Sequence, residues 1–546
     1  MTSFASAILE LLGKHGITRA FGVPGVHNLP FWDTDSQCSP RIVGVRHEQA
    51  AGYAADGLYR ASGQSAVALL TSGPGAANVL GAFGEAYTSG SPVIVIASEP
   101  SHALRSSAGP RGLLHEMADQ GAMFAAFGAP ARTARTRQEA MASTVLALRD
   151  AWGPPPLASY VGIPSDVLSE TWTAAIPHIP RLPSPHADAH RVGELAELIG
   201  ASPRVVLWLG GGVVAGDAEH AAADLAHRLG APVVTSFAGR GLLAGNPLLV
   251  NAPVHEPEVA RLIADADLIL ILGSSFDGMN TMNWRLPLPA RRAAITLGTA
   301  IEQTVDLDCL ISADVATSLS ALNEALDDLG VGARTPWAEI PSIRPAIVGR
   351  LLLDDRTSAA MRLVNGIDDA WPTDGIVLCD MAVAGYWYGG YSDQPRARRL
   401  QYPVGWGTLG YALPAAIGPA CLGLPTLAVC GDGGPMFALG ELATYAQESL
   451  PITLLIVDDG GYGMLRFDQQ AFGHRVRGVD LLTPEWHSLG AAFGISVETV
   501  STAEAIGPAL TRSLEANRCG EPRIIVWPQR LYPPRTTSPR WSEPSI

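Results

Sequence analysis

Two acidic turns late in the chain have the residue types needed to hold a phosphate ester. Asp432 lies in the turn Gly431, Asp432, Gly433, Gly434, and Asp459 lies in Asp458, Asp459, Gly460, Gly461. Each turn follows an apolar run, residues 427–430 and 452–457, that reads as a short buried parallel strand. The two carboxylates are therefore expected at adjacent strand ends. Two carboxylates, a backbone carbonyl and phosphate oxygens complete an octahedron around a hard cation. Glycines in the turns let backbone N–H groups approach the phosphate. Residues 436–447 have helical spacing and would join the two strands. A ligand-free βαβ turn looks the same locally, because short glycine motifs are common.

A third carboxylate, Glu48, opens the helical stretch RHEQAAGYAADGLYRASG. The helix dipole favours its charge. The small residues Ala50, Ala51, Gly52, Ala54, Ala55 and Gly57 predict close packing against another element. A carboxylate in such packing is partly buried and can share a proton with a ligand nitrogen; a solvated helix glutamate is the alternative. Two histidines stand on loops: His27, after the turn at Gly22, Pro24 and Gly25, and His115, beside Glu116 in the polar loop 100–120. Loops after sheet strands carry function more often than cores do. A surface histidine is the plain alternative for each.

Holding these groups in place requires a large framework. The chain has 546 residues, 47% apolar and 16% charged, which excludes a single small core and a disordered chain. Strand and helix signals alternate over residues 1–170, with strands at 18–22, 41–45, 65–71 and 91–97. The proline-rich stretch 176–190 reads as a linker. A second alternation fills 190–335 and closes with a helix at 318–329. Its turn Gly210, Gly211, Gly212 lacks a full GxGxxG, so its dinucleotide signal is weak. A third domain, 345–535, holds both acidic turns, a helix over 479–494 and a last strand at 522–528. The tail from Tyr532 has no apolar period and reads as a mobile segment or a lid. The expected fold class is α/β, with three doubly wound parallel-sheet domains.

The net charge of −15 argues against nucleic acid or an anionic membrane as partner. Six scattered cysteines without a CxxC pair fit free thiols in a reducing cytoplasm. No apolar run reaches the ~18 residues of a membrane span, and residues 2–15 read as a first helix rather than a signal. A cytoplasmic location is expected.

Three motifs stand in order along the chain: RHEQAAGYAADGLYRASG, TSGPGAAN, and GDGG with VDDGGYGM. Together they resemble the thiamine-diphosphate-dependent 2-oxo acid decarboxylase and acetolactate-synthase family, over nearly the whole chain. FGVPGVHNLPF, GLLHEMADQ and GVDLLTPEW are similar to the 5-guanidino-2-oxopentanoate decarboxylases. The resemblance implies a pyrimidine-binding domain, a central domain and a diphosphate-binding domain. It implies that Glu48 faces N1′ of the aminopyrimidine and that Asp432, Asp459 and the Gly461 carbonyl bind Mg2+. It further implies that the Gly407 carbonyl accepts from the 4′-amino group and that the cofactor bends over Leu409. Thr71, Gly75, Asn78, Gly431, Gly433, Gly434, Tyr462, Gly463 and Met464 complete the implied cofactor contacts. His115 and His27 are the implied proton donors or carboxylate partners. Val26, Asn28, Glu99 and Phe467 are the implied substrate contacts, and a carboxylate at Glu99 would favour a cationic substrate end such as guanidinium.

This sequence departs from the family at Asp458, where Asn is frequent, and at Glu99, where acetolactate synthases have Gln. Some relatives bind FAD in the central domain; no residue set here establishes it. The implied function is non-oxidative decarboxylation of a 2-oxo acid through a C2 carbanion and enamine. A carboligase of acetolactate-synthase type is the alternative. A binding protein without turnover would not need Glu48 together with Asp432, and the missing GxGxxG disfavours an NAD-dependent dehydrogenase. The family places its active sites between subunits, which implies a homodimer or a dimer of dimers.

Overall fold

The computed structural model describes residues 2–33, 39–105, 109, 111–298 and 300–541. Cys38, four positions of the 100–120 loop and the end of the tail lie outside the described residues. The other five cysteines are free thiols.

Three parallel sheets carry the fold. The first part of the chain contributes β1 (Thr2–Ser3), β2 (Arg19–Gly22), β3 (Arg41–Gly44), β4 (Val67–Leu70), β5 (Ile94–Glu99), β6 (Ala131–Thr133), β7 (Ser159–Pro164) and β8 (Thr171–Trp172). Six of these form a parallel sheet in the order β3-β2-β4-β5-β7-β6, while β1 and β8 pair antiparallel beside it. The middle part contributes β9 (Val205–Leu209), β10 (Val233–Thr235), β11 (Leu268–Leu272), β12 (Arg291–Ile295) and β13 (Cys309–Ile311), ordered β10-β9-β11-β12-β13. The last part contributes β14 (Ile376–Cys379), β15 (Leu400–Gln401), β16 (Thr426–Gly431), β17 (Ile452–Asp458), β18 (Ser496–Thr499) and β19 (Arg523–Pro528), ordered β15-β14-β16-β17-β19-β18. The fold class is thus α/β with three parallel sheets. Central strands such as β4, β9 and β11 are buried along their whole length, which is why they read as continuous apolar runs.

The helix Glu48–Ser62 is the main link between the first and last sheets. His47 caps it by accepting from Gln49 N, and Gly63 ends it in the left-handed region at φ 76°. It packs on the short helices Ala412–Ala415 and Ile417–Ala420. A Cβ at Gly57 would strike the Ala415 carbonyl, and one at Gly418 would strike that of Ala54. The small residues read from the sequence therefore serve backbone-to-backbone packing between the two regions.

Several local expectations need correction. The helix expected over 436–447 is broken: Pro435–Phe437 forms one 3₁₀ turn, Ala438 leaves helical geometry at φ −143°, and the helix proper is Glu441–Gln447. Of residues 479–494 only Trp486–Ala492 is helical, because Glu485 caps it by accepting from His487 N and Ser488 N. Asp480 instead bridges to Gly461. Strands β13 and β18 are too short to show a period in sequence. The glycines of the 210–212 turn are consumed by packing, since a Cβ at Gly210 or Gly212 would collide with Gly273. The tail is not loose. Residues 533–537 are buried, Trp387 Nε1 donates to the Tyr532 carbonyl at 2.7 Å, and Arg540 Nη1 donates to that of Pro533 at 2.6 Å. No described helix is long and apolar enough to cross a membrane.

Candidate active site

A cavity of about 280 Å³ opens at the carboxyl ends of β14, β16 and β17, the end where ligands bind in open α/β sheets. Parallel pairing of β16 with β17 sets Gly431 opposite Val457. Asp432 lies one residue beyond Gly431 and Asp459 two beyond Val457, and the two meet at the strand ends, where Asp459 N donates to Asp432 Oδ1 at 3.4 Å. Burial pushes the Asp432 carboxyl up to about 6, and the charges of Asp459 and Asp458 add to the effect. Asp459 is also raised by burial, against the pull of Arg466 and Arg530. Asp432 Oδ2 and Asp459 Oδ1 are buried without a hydrogen-bond partner. Arg466 Nη1 stands 3.7 Å from Asp459 Oδ1, within ion-pair range but beyond a hydrogen bond. Two desolvated carboxylates with open oxygens are costly unless a cation joins them. The donor set therefore fits a divalent cation that takes further oxygens from a phosphate ester. Among the described residues no three His, Cys, Asp or Glu side chains converge on a metal position, so the remaining ligands would have to come from backbone, phosphate or water.

The turn carrying the Gly461 carbonyl is held from outside the cavity. Gly461 has φ 144°, and a Cβ there would collide with the Val479 carbonyl, which accepts from Tyr462 N at 2.8 Å. Arg466 Nε donates to Asp480 Oδ1 at 2.8 Å and Nη2 to the Gly460 carbonyl at 3.1 Å. A Cβ at Gly463 would strike the Asp459 carboxylate. Asp458, the unexplained departure, does not line the cavity. Its Oδ2 accepts from Trp486 Nε1 at 2.7 Å and its Oδ1 from Gly460 N at 3.2 Å, so it anchors the turn on its outer side. Gly431, Gly433, Gly434, Leu409, Tyr462 and Met464 all face the cavity.

One positioning residue escaped sequence reading. Asp380, 1% exposed, accepts from Met381 N at 2.8 Å, Gly410 N at 3.0 Å and Tyr411 N at 3.4 Å through Oδ1. A Cβ at Gly434 would meet its other oxygen. Asp380 thus ties the segment bearing Gly407 and Leu409 to the turn at Gly434. Its only sequence signal is its place at the end of an apolar run, in Cys379-Asp380, the same pattern that marks Asp432.

The first region forms a separate cluster. Glu48, half-buried, accepts from Asn78 Nδ2 at 3.0 Å through Oε2, and Gly75 packs against it and Thr71. Thr71 Oγ1 is buried without a partner. Ser72 Oγ links the two histidines, lying 2.6 Å from His27 Nδ1 and 3.1 Å from His115 Nδ1. Burial, and then the neighbouring His115, lower the His27 pKa and favour its neutral form. His115 takes φ 64° against Gly73, whose N–H donates to Gln120 Oε1 at 2.6 Å. Arg46 N and His47 N both donate to Glu441 Oε1, at 2.9 and 3.0 Å, so the last region of the same chain fixes the approach to Glu48.

The expected substrate contacts fare differently. Glu99 is 1% exposed and already spent: Arg105 Nη2 pairs with it, and Tyr160 OH and Thr133 Oγ1 donate to its Oε1 at 3.2 and 3.3 Å. A carboxylate so enclosed does not receive a substrate cation. Asn28 is fully buried and closes its own turn, accepting from Gly25 N at 2.7 Å and donating to the Val23 carbonyl at 3.0 Å. Phe467 packs edge-on against Tyr532 and leaves the cavity to Met464, Leu465 and Asp468 on the same helix. Val26 is 74% exposed. No described residue of the first region lines the cavity; its lining begins at Met279 in sequence. Within one chain, Glu48 therefore does not line the cavity that the acidic turns line.

Sequence comparison divides the chain into three matched domains. Residues 2–123 match the N-terminal TPP binding domain of thiamine pyrophosphate enzymes, 192–322 the central domain, and 380–525 the C-terminal TPP binding domain. The chain is 34% identical over 516 residues to the "Probable 2-ketoarginine decarboxylase AruI" of Pseudomonas aeruginosa, covering 90% of this chain and 88% of that one. It is 27% identical to the "Probable acetolactate synthase large subunit" of Methanocaldococcus jannaschii, over 97% and 93% of the two chains. It is 26% identical to the sulfoacetaldehyde acetyltransferase of Castellaniella defragrans, over 94% and 90%. A solved Mycobacterium smegmatis structure, described as a thiamin diphosphate-dependent enzyme, has the same fold, with TM-score 0.79 at 22% identity over 96% of this chain and 99% of that one. The chain belongs to the thiamine pyrophosphate enzymes, the family built on thiamine diphosphate as cofactor.

Proposed function

We propose that this enzyme is a non-oxidative 2-oxo acid decarboxylase that holds thiamine diphosphate through Mg2+ on Asp432, Asp459 and the Gly461 carbonyl. The open, buried oxygens of Asp432 and Asp459 carry the reading. The bound cofactor supplies an electron sink for the carbon that loses carbon dioxide. The chain's own residues do the rest. Asp380 fixes the segment from which Gly407 presents its carbonyl to the aminopyrimidine and Leu409 its side chain. Glu48, oriented by Asn78, holds a proton at the pyrimidine nitrogen. The His27–Ser72–His115 relay, with His27 kept neutral by burial, accepts or returns a proton at the reacting end of the substrate. Thr536, Thr537, Ser538 and Pro539 of the tail form one wall and limit water.

The cavity has no described first-region residue in its lining, so Glu48 and the histidine relay reach it from a second copy of the chain. Exposed apolar side chains support this pairing: Trp406, Leu409, Met436 and Phe437 on one side and Val26, Leu29 and Leu114 on the other. The relative named a 2-ketoarginine decarboxylase favours decarboxylation, and the one named acetolactate synthase favours carboligation as a second reading. A panel of 2-oxo acids with thiamine diphosphate and Mg2+, scored for carbon dioxide and organic product, tests both. Aldehyde formed equally with and without an acceptor supports the decarboxylase. An acceptor-dependent ketol product would replace it with the ligase, and no carbon dioxide from any acid would end both readings.

A further inference from the structure

The cavity holds three carboxylates, Asp432, Asp459 and Asp468, and no Lys, Arg or His among its lining residues. The first two share one wall and suit one cation. Asp468 stands apart from them, since no three such side chains converge on a metal position among the described residues. It lies on the helix Gly463–Ala471, four residues beyond Met464 and three beyond Leu465, so all three fall on the cavity-facing stripe. Its Oδ1 is buried and makes no hydrogen bond. Its surroundings are largely apolar: Met279, Met381, Leu531 and the ring of Tyr386 line the same space. Burial alone raises its pKa, with no cationic partner to oppose it. Leaving a carboxylate open in such a place costs free energy that a bound cation recovers.

We infer that Asp468 is the specificity-determining residue that receives a cationic end of the substrate, so that the preferred 2-oxo acid carries a guanidinium or ammonium on its side chain. This rests on the decarboxylase reading and sharpens it. The cation site moves from Glu99, whose charge Arg105 already satisfies, to a carboxylate that faces the diphosphate cavity. A planar guanidinium donates two parallel N–H groups to a carboxylate, whereas a urea of the same shape brings no charge.

The test compares 5-guanidino-2-oxopentanoate with its neutral isostere 5-ureido-2-oxopentanoate in the wild type and in Asp468→Asn. Loss of one charge-assisted contact corresponds to roughly 10- to 100-fold in kcat/KM. The wild type is expected to prefer the guanidino acid by about that factor, and Asp468→Asn to bring the ratio close to unity. A preference unchanged in Asp468→Asn overturns the inference, as does a wild type that favours the ureido acid; in both cases decarboxylation itself stands. Equal loss of both substrates in the variant assigns Asp468 to the cofactor and also overturns it. Calorimetry with the unreactive 4-guanidinobutanoate and 4-ureidobutanoate, on protein loaded with thiamine diphosphate and Mg2+, reads the subsite without turnover. Tighter guanidino binding that disappears in Asp468→Asn keeps the subsite even if no 2-oxo acid is decarboxylated. Indifference between the two ligands removes it.

Discussion

The first and last sheets of this enzyme have the same strand order, position for position: β3-β2-β4-β5-β7-β6 against β15-β14-β16-β17-β19-β18. They differ in how several of their buried acids are satisfied. In the first region each buried acid has a cationic partner. Arg60 pairs with Asp56 at 2.9 Å and Glu85 at 3.0 Å, and Arg105 pairs with Glu99. Glu116 collects N–H donors from Leu113, Arg111 and Gly112, which lower its pKa. In the last region Asp380, Asp432, Asp459 and Asp468 all have raised pKa values, burial being the largest cause for each, and each keeps a buried oxygen with no hydrogen bond. One framework thus yields a half whose buried acids are paired with arginines and a half in which four acids keep a buried oxygen without a hydrogen bond. The same topology does not imply the same site; the residues at the strand ends decide it.

The sharpest way to break this division is to disarm the half that needs no ligand. Glu48→Gln should lower carbon dioxide release by roughly 100- to 10,000-fold while calorimetry still shows thiamine diphosphate binding. Loss of cofactor binding instead would assign Glu48 to the structural side. Next comes complementation. Glu48→Gln and Asp432→Ala are each expected to be inactive alone. Mixed by unfolding and refolding, they should regain about a quarter of wild-type activity, because half of randomly paired dimers hold one intact site. No recovery would mean that both halves of a site come from one chain. A smaller effect is expected at the clamp between the halves. Removing the Glu441 carboxylate in Glu441→Ala leaves Arg46 N and His47 N without their acceptor and should cost about 2–3 kcal/mol, seen in urea unfolding together with weaker turnover. Glu441→Gln should recover most of the stability, since the amide oxygen can still accept.

The smallest effect is a pH dependence. Burial holds the Asp380 carboxyl at about 6, above its ordinary 3.8. The folded protein therefore binds this proton more tightly than the unfolded chain does. The group's contribution to stability is full below about pH 4 and is lost as pH rises through about 6. Asp380→Asn cannot ionise, so its melting temperature should gain on the wild type by about 1–2 °C between pH 5 and pH 7.5. A gap that widens in the other direction would show that the ionised carboxylate is the stabilising form.

Much of the fold and part of the site were legible in the sequence. The buried strands announced themselves as apolar runs, the helix Glu48–Ser62 by its small residues, and the acidic turns by glycines at strand ends. Each of these signals is local, because burial on both faces and tight turns restrict residue types at neighbouring positions. What a carboxylate meets across the fold leaves no such trace. Glu99 and Asp468 both follow or interrupt apolar stretches, yet one is closed by Arg105 and Tyr160 and the other faces a cavity with an open oxygen. Asp458 reads in sequence only as a departure from Asn, and its partner Trp486 Nε1 lies 28 residues on. Asp380 gained its role only from the N–H groups of Gly410 and Tyr411, some thirty residues away. The sequence by itself determined the sheets, the acidic turns and the family. Only the tertiary structure decided which acids are satisfied and which keep a buried oxygen without a hydrogen bond, because that depends on partners distant in the chain and brought close by packing.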